Sequence, residues 1–196
     1  MTSQQKFLGL GALALGLLFT ACSKDDKKND SPAPVLTTTT VTNLQADTAN
    51  TGKYTLFSFA DNKVIPNSDS ATSKWDIGFK TTTIIINGGV SGPGKAEAQV
   101  VSGVFSDLST APATGYATDS TGAKYALKSW YSYNATTHII TPVPGKVLVI
   151  KTPAGKYVKV EIQSYYKDAP ASPDLNSVSR LYKFRYVFQA NGSVNF

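Results

Sequence analysis

The chemistry open to this chain is limited by the side chains it owns. It has one histidine (His138), one cysteine (Cys22) and one methionine (Met1). An ordinary protein metal centre needs three or four convergent ligands of the His, Cys or carboxylate kind, and a lone imidazole falls short. A Ser-His-Asp hydrolase would need His138 beside an activated serine, and no serine stands in a GxSxG elbow. Paired carboxylates for glycoside hydrolysis meet in space rather than in sequence. Most carboxylates here fall in loop-like stretches; Asp76 follows Trp75, and Glu161 sits on the polar side of an alternating run. Gly89-x4-Gly94-Lys95 has the outline of a phosphate loop. Position 96 is Ala, so the Mg²⁺ hydroxyl is missing, and Pro93 removes a backbone N–H from the cradle. A turn between strands explains it better. The residues argue against an enzyme.

Cys22 does carry a chemical signal. Lys6 opens a short basic region, Phe7 to Phe19 is an apolar run rich in small residues, and Phe19-Thr20-Ala21-Cys22 closes it. The run is short for a bilayer span and suits a signal peptide over residues 1–21. Small residues before a lone cysteine resemble the bacterial lipobox, in which the cysteine is diacylated and becomes the mature N-terminus. Several acyl chains hold a protein firmly at a membrane. Residues 22–34 read as a lipidated flexible tether: Ser23 to Asp30 carries three Lys and three Asp, and Ser31-Pro-Ala-Pro34 ends it. Ser23-Lys24-Asp25-Asp26 also resembles the surface-export signal of Bacteroidota lipoproteins. The expected location is the outer membrane, facing outward.

Residues 35–196 must then supply one folded domain, with no internal disulfide. Its strongest pattern is Lys146 to Tyr166. Val147 to Ile150 is a continuous apolar run, Thr152-Pro153-Ala154-Gly155 a turn, and the return alternates Val158, Val160, Ile162 against Lys159, Glu161, Gln163. That predicts a hairpin with one wet face. Further strands are expected at Val35 to Thr42, Lys53 to Ala60, Lys74 to Asn87 (two strands or one long bent one), Gln99 to Phe105, Tyr125 to Tyr133, His138 to Ile140 and Arg180 to Ala190. Asp61 to Ser73 and Lys167 to Ser179 read as polar loops. No sustained 3.6-residue apolar period occurs outside the signal. The expectation is an all-β single domain whose antiparallel sheets form a sandwich or an open barrel. The chain's net charge is +6. Its cations are scattered along the strands, and nucleic-acid binding would need them clustered on one face.

Several segments stand in a telling order: Trp75-Asp76-Ile77-Gly78-Phe79; Ile84-Ile85-Ile86-Asn87-Gly88-Gly89; Trp130-Tyr131-x-Tyr133; Lys146 to Lys151 with Gly155-Lys156-Tyr157-x-Lys159 and Tyr165-Tyr166; and Tyr182-x-Phe184-Arg185-Tyr186. Together they resemble the HmuY family, surface lipoproteins of Bacteroidota whose best-known members are haemophores. The resemblance spans roughly Thr55 to Phe196. It implies a hand-like all-β fold that clamps a porphyrin between loops, haem as the captured cofactor, and delivery to a TonB-dependent outer-membrane receptor.

The resemblance also implies two iron ligands on two loops, and here the sequence departs. The loop Asn134 to Gly145 matches one ligand-bearing loop, but Ala135 falls at the ligand position and His138 lies past it. The segment before Trp130, Gly115 to Ser129, has no histidine, and Met1 leaves with the signal. The candidate ligand-binding residues are therefore Trp130, Tyr131, Tyr133 and His138. His138 is the one metal candidate, alone or with Tyr131 or Tyr133, since tyrosine is a known haem ligand type. A second reading keeps the scaffold and drops haem: a structural or interaction lipoprotein serving adhesion or complex docking. Asp47-Thr48-Ala49, Asp69-Ser70-Ala71 and Asp119-Ser120-Thr121 resemble the O-glycosylation sequence of Bacteroidota envelope proteins.

Overall fold

Val147, Leu148, Val149 and Ile150 are all fully buried, and the sheet built around them organises the rest. The computed structural model describes residues 36–196. The expected signal peptide, Cys22 and the tether lie outside the described residues.

The described residues form eleven strands in order: β1 Thr38–Gln45, β2 Thr55–Ser58, β3 Lys63–Ile65, β4 Ile77–Lys80, β5 Thr83–Ile86, β6 Glu97–Ser102, β7 Tyr131–Asn134, β8 Ile139–Pro142, β9 Lys146–Lys151, β10 Tyr157–Tyr166 and β11 Ser179–Gln189. They form a five-stranded sheet in the order β1-β11-β10-β9-β6, a four-stranded sheet β3-β2-β4-β5, and a separate two-stranded hairpin β7-β8. The strand pairings are antiparallel. The expected hairpin is β9-β10, with Val158 opposite Ile150 and Val160 opposite Leu148. One stretch expected to be loop contains strand β3 and a short 3₁₀ turn, Asn67–Asp69. The expected strand over Tyr125 to Tyr133 shrinks to its last part, β7.

The two larger sheets face each other across the main core, so the architecture is the sandwich. Phe57, Phe59, Ile77, Phe79, Ile84 and Ile86 from the smaller sheet meet Leu148, Ile150, Val158, Val160, Tyr182, Phe184 and Tyr186 from the larger. The aromatic stripe of β11 is the seam: Phe184 stacks on Phe79 with centroids 5.5 Å apart, and Tyr186 lies 5.0 Å from Phe59. Each such side chain contributes about 1.5–3 kcal/mol by leaving water.

The wet face expected on β10 is a correction. Lys159 is buried. A second apolar layer, formed by Phe105, Ala111, Val147, Val149 and Val187, covers that side of the sheet. Lys159 Nζ donates to the carbonyls of Phe105 (3.0 Å) and Leu108 (2.8 Å), and lies over the rings of Phe105 and Phe196. Beside it Arg185 Nε donates to Glu161 at 2.7 Å. Alternation foretold the facing of each side chain correctly. What it could not show is that the segment after β6 folds back over the polar row, so a cation caps loop carbonyls there instead of meeting solvent. On the far side of the smaller sheet its own Leu56, Ile65 and Ile85 cluster with Trp75.

The glycine-rich loop after β5 wraps around one amide. Asn87 is fully buried. Its Nδ2 donates to the carbonyls of Thr72 and Trp75, and its Oδ1 accepts the Gly94 N–H at 2.9 Å. A Cβ at Gly92 would stand 2.3 Å from Asn87 Oδ1, and one at Gly94 would stand 2.4 Å from the Asn87 carbonyl oxygen. Close packing, not a phosphate, explains these glycines.

Candidate ligand-binding cleft

The β7-β8 hairpin packs Tyr131, Ile139 and Ile140 against the main core, and its base is pinned by aromatic residues. Trp130 is buried among the core side chains, and its Nε1 donates to the Thr82 carbonyl at 3.1 Å. The Val143 N–H donates back to the Trp130 carbonyl, extending the ladder past the named strands. On β8, the Ile140 N–H donates to the Tyr166 hydroxyl at 3.0 Å. Burial pushes the neighbouring Tyr165 phenol up to about 12, so it stays protonated at any ordinary pH. The hairpin tip is an Asx turn: Asn134 Oδ1 accepts the N–H groups of Thr136 and Thr137. His138 closes the turn with a left-handed φ of 58°.

Facing the hairpin is the segment between β10 and β11. The Lys167 N–H donates to the Val178 carbonyl at 2.8 Å, closing its neck. At that neck Asn43 and Asp168 exchange two hydrogen bonds of 2.8 Å each. Its tip is ordered by Asp174, whose Oδ1 accepts from the Asn176 N–H and the Ser177 hydroxyl. Those bonds, the Ser177 hydroxyl foremost, hold the Asp174 carboxyl below its usual range, so it is ionised at neutral pH.

Between the two lies a cleft of about 760 Å³. The hairpin wall is Asn134, Thr136, Thr137, Ile139 and Thr141; the loop wall is Ala171, Pro173, Asp174, Leu175 and Asn176. Asn134 pairs with Ile139 across the hairpin and Ser132 with Thr141, so these positions share one face. Leu175 is 75% exposed, the most exposed of the large apolar side chains among the described residues. Among the described residues, the lining contains no Lys or Arg and a single carboxylate.

The four residues expected from the sequence are placed elsewhere. Trp130 is core. Tyr131 is half-buried against it, with ring centroids 4.8 Å apart. Both border a smaller cavity of about 240 Å³, together with Leu127 and Lys128. Tyr133 and His138 are brought together at the hairpin tip, where the phenol oxygen lies 2.6 Å from His138 Nδ1. Tyr133 pairs with Ile140 and so projects from the opposite face of the hairpin. Neither Tyr133 nor His138 lines the large cleft. Sequence reasoning did not single out Ile139, Pro173 and Leu175, which line the cleft. Leu175 had a signal: a lone large apolar residue in a polar loop, between Asp174 and Asn176.

Among family models, that of the HmuY protein matches the chain, over residues 50–186. Among solved structures, one from Bacteroides vulgatus, classed provisionally as a HmuY-like heme binding protein, has a TM-score of 0.53 at 16% identity. That match covers 76% of this chain and 91% of the other. A structure of an apo HmuY analog from Tannerella forsythia has a TM-score of 0.48 at 17% identity, covering 79% of this chain and 96% of that one. No curated protein matches the chain.

Proposed function

The chain belongs to the HmuY family, and from that premise we propose that it is a binding protein for a haem-class tetrapyrrole, anchored at the bacterial outer surface. The observation that carries the reading is the cleft between the β7-β8 hairpin and the loop before β11. Its volume of about 760 Å³ lies within the usual range for small-molecule sites, about 300–1,000 Å³. The cavity beside Trp130, about 240 Å³, lies below it. Ile139, Pro173 and Leu175 offer apolar contact to a flat ring, and the threonines and amides around them offer hydrogen bonds. A structurally similar protein from Bacteroides vulgatus is classed provisionally as heme binding; at 16% identity that likeness supports the fold, and the function rests on the family and the cleft. Carriage is the reading that membership of the family supports.

Cys22 would carry the lipid, residues 22–34 would tether the domain, and a TonB-dependent receptor would take the ligand onward. Titration of the purified domain with haem should give a saturable Soret change, and Leu175→Asp should weaken it. A flat titration at micromolar haem overturns the binding reading and favours a docking role for the same scaffold. For the anchor, labelled palmitate should enter the full-length protein in cells and fail to enter Cys22→Ala.

A further inference from the structure

The cleft suits a tetrapyrrole by size and apolar contact, but it does not suit iron. Its polar side chains are the hydroxyls of Thr136, Thr137 and Thr141, the amides of Asn134 and Asn176, and the Asp174 carboxylate. None is an imidazole, thiolate, thioether or phenol, the side chains that hold haem iron. Asp174 Oδ1 is already taken by the Asn176 N–H and the Ser177 hydroxyl, and its other oxygen faces Asn176 Nδ2.

The single imidazole is nearby in sequence but not in the lining. His138 is bonded through Nδ1 to Tyr133 at 2.6 Å. Tyr133 belongs to the hairpin face opposite Asn134, Ile139 and Thr141, because successive strand residues point to opposite sides. Bringing the imidazole into the cleft would break that bond and turn the side chain around the hairpin edge. Charge points the same way. With no Lys or Arg in the lining and Asp174 ionised there, the carboxylates of a porphyrin gain most by staying in water at the open side.

We infer that this cleft recognises the macrocycle alone, with no bond from the protein to the central metal, so that iron-free protoporphyrin is as good a ligand as haem. The inference rests on the binding reading above and specifies the ligand class of that same cleft. Ile139 and Leu175, from opposite walls, are the residues that hold the ring.

The test is equilibrium dialysis of the purified domain against haem and, separately, against iron-free protoporphyrin IX. The same measurement is made on His138→Ala, Tyr133→Phe and Leu175→Asp. The two dissociation constants should agree within about threefold, a difference well under the tenfold that 1.4 kcal/mol produces. His138→Ala and Tyr133→Phe should leave both within about twofold, and Leu175→Asp should weaken both by about tenfold or more. Leu175 is exposed, so that variant should fold, and its melting temperature checks this. Haem binding that far exceeds protoporphyrin binding, or that is lost on His138→Ala, overturns the inference while leaving the binding reading intact. Failure of both ligands overturns the binding reading itself.

Discussion

The Tyr133 hydroxyl lies 2.6 Å from His138 Nδ1, and the pair so formed stands in solvent at the tip of the β7-β8 hairpin. Tyr133 is 53% exposed. The bond competes with water on both sides. Tyr133→Phe and His138→Ala should each change unfolding free energy by no more than about 0.5 kcal/mol, as surface substitutions do. Urea unfolding measures this. A loss above about 2 kcal/mol would show that the tip supports the core.

Lys159 should behave in the opposite way. Its ammonium is the donor to the carbonyls of Phe105 and Leu108. Burial, and then repulsion from Arg185, lower its pKa. Lys159→Met keeps the apolar stem and strands two acceptors, offset in part by removing a desolvated charge. The net cost should be about 2 kcal/mol, read as a fall in the urea midpoint. An unchanged midpoint would show that the covering segment does not depend on this contact.

Asp76 predicts a pH dependence. Burial raises its carboxyl to about 6, against the ordinary 3.8; the Phe59 N–H donated to Oδ2 at 2.8 Å opposes this only in part. The folded state therefore holds the proton more tightly than the unfolded chain. The stability linked to this group is fully present below the unfolded value and is lost as pH rises through about 6. The swing is on the order of 3 kcal/mol at most. Melting temperature measured from pH 7 down to pH 4 should rise in the wild type relative to Asp76→Asn. Parallel curves for the two proteins would rule the mechanism out.

Asn87→Ala should cost about 2–4 kcal/mol, because it unpairs the Thr72 and Trp75 carbonyls and the Gly94 N–H at a fully buried site. Gly92→Ala should also destabilise, by crowding Asn87 Oδ1. Thermal melts of both variants check the point, and near-wild-type behaviour of Asn87→Ala would refute it.

Thr48, Ser70 and Ser120, the hydroxyl residues of the three glycosylation-like triplets, are all exposed. Intact mass of the protein from its native host should fall on Ser70→Ala by far more than the one oxygen that the substitution removes, the excess being the sugar. A fall of one oxygen alone removes the proposal at this site.

Much of the fold was legible because period-two patterning is local. Val158, Val160 and Ile162 alternate, and the structure puts all three in the core. Tyr182, Phe184 and Tyr186 do the same on β11. Patterning says which side chains share a face, but not what covers that face. Lys159 and Glu161 share one, and only the return of the chain after β6 puts Phe105 over Lys159. Strand β3 was hidden because Lys63 and Val64 are exposed and only Ile65 is buried. Its pairing with β2 supplies the order that its composition does not.

The site divides along the same line. Sequence alone determined the inventory: one imidazole, one thioether at Met1, one cysteine at the end of an apolar run, and strand patterns for an antiparallel all-β domain. Those are properties of composition and of neighbours along the chain. Only the tertiary structure decided where the inventory lies. Ile139 and Leu175 are far apart in sequence and meet as opposite walls of one cleft. Tyr133, next to the cleft residue Asn134, points away from it. The physical reason is that a strand reverses its face at every residue, while a cleft needs two segments brought together by everything folded between them.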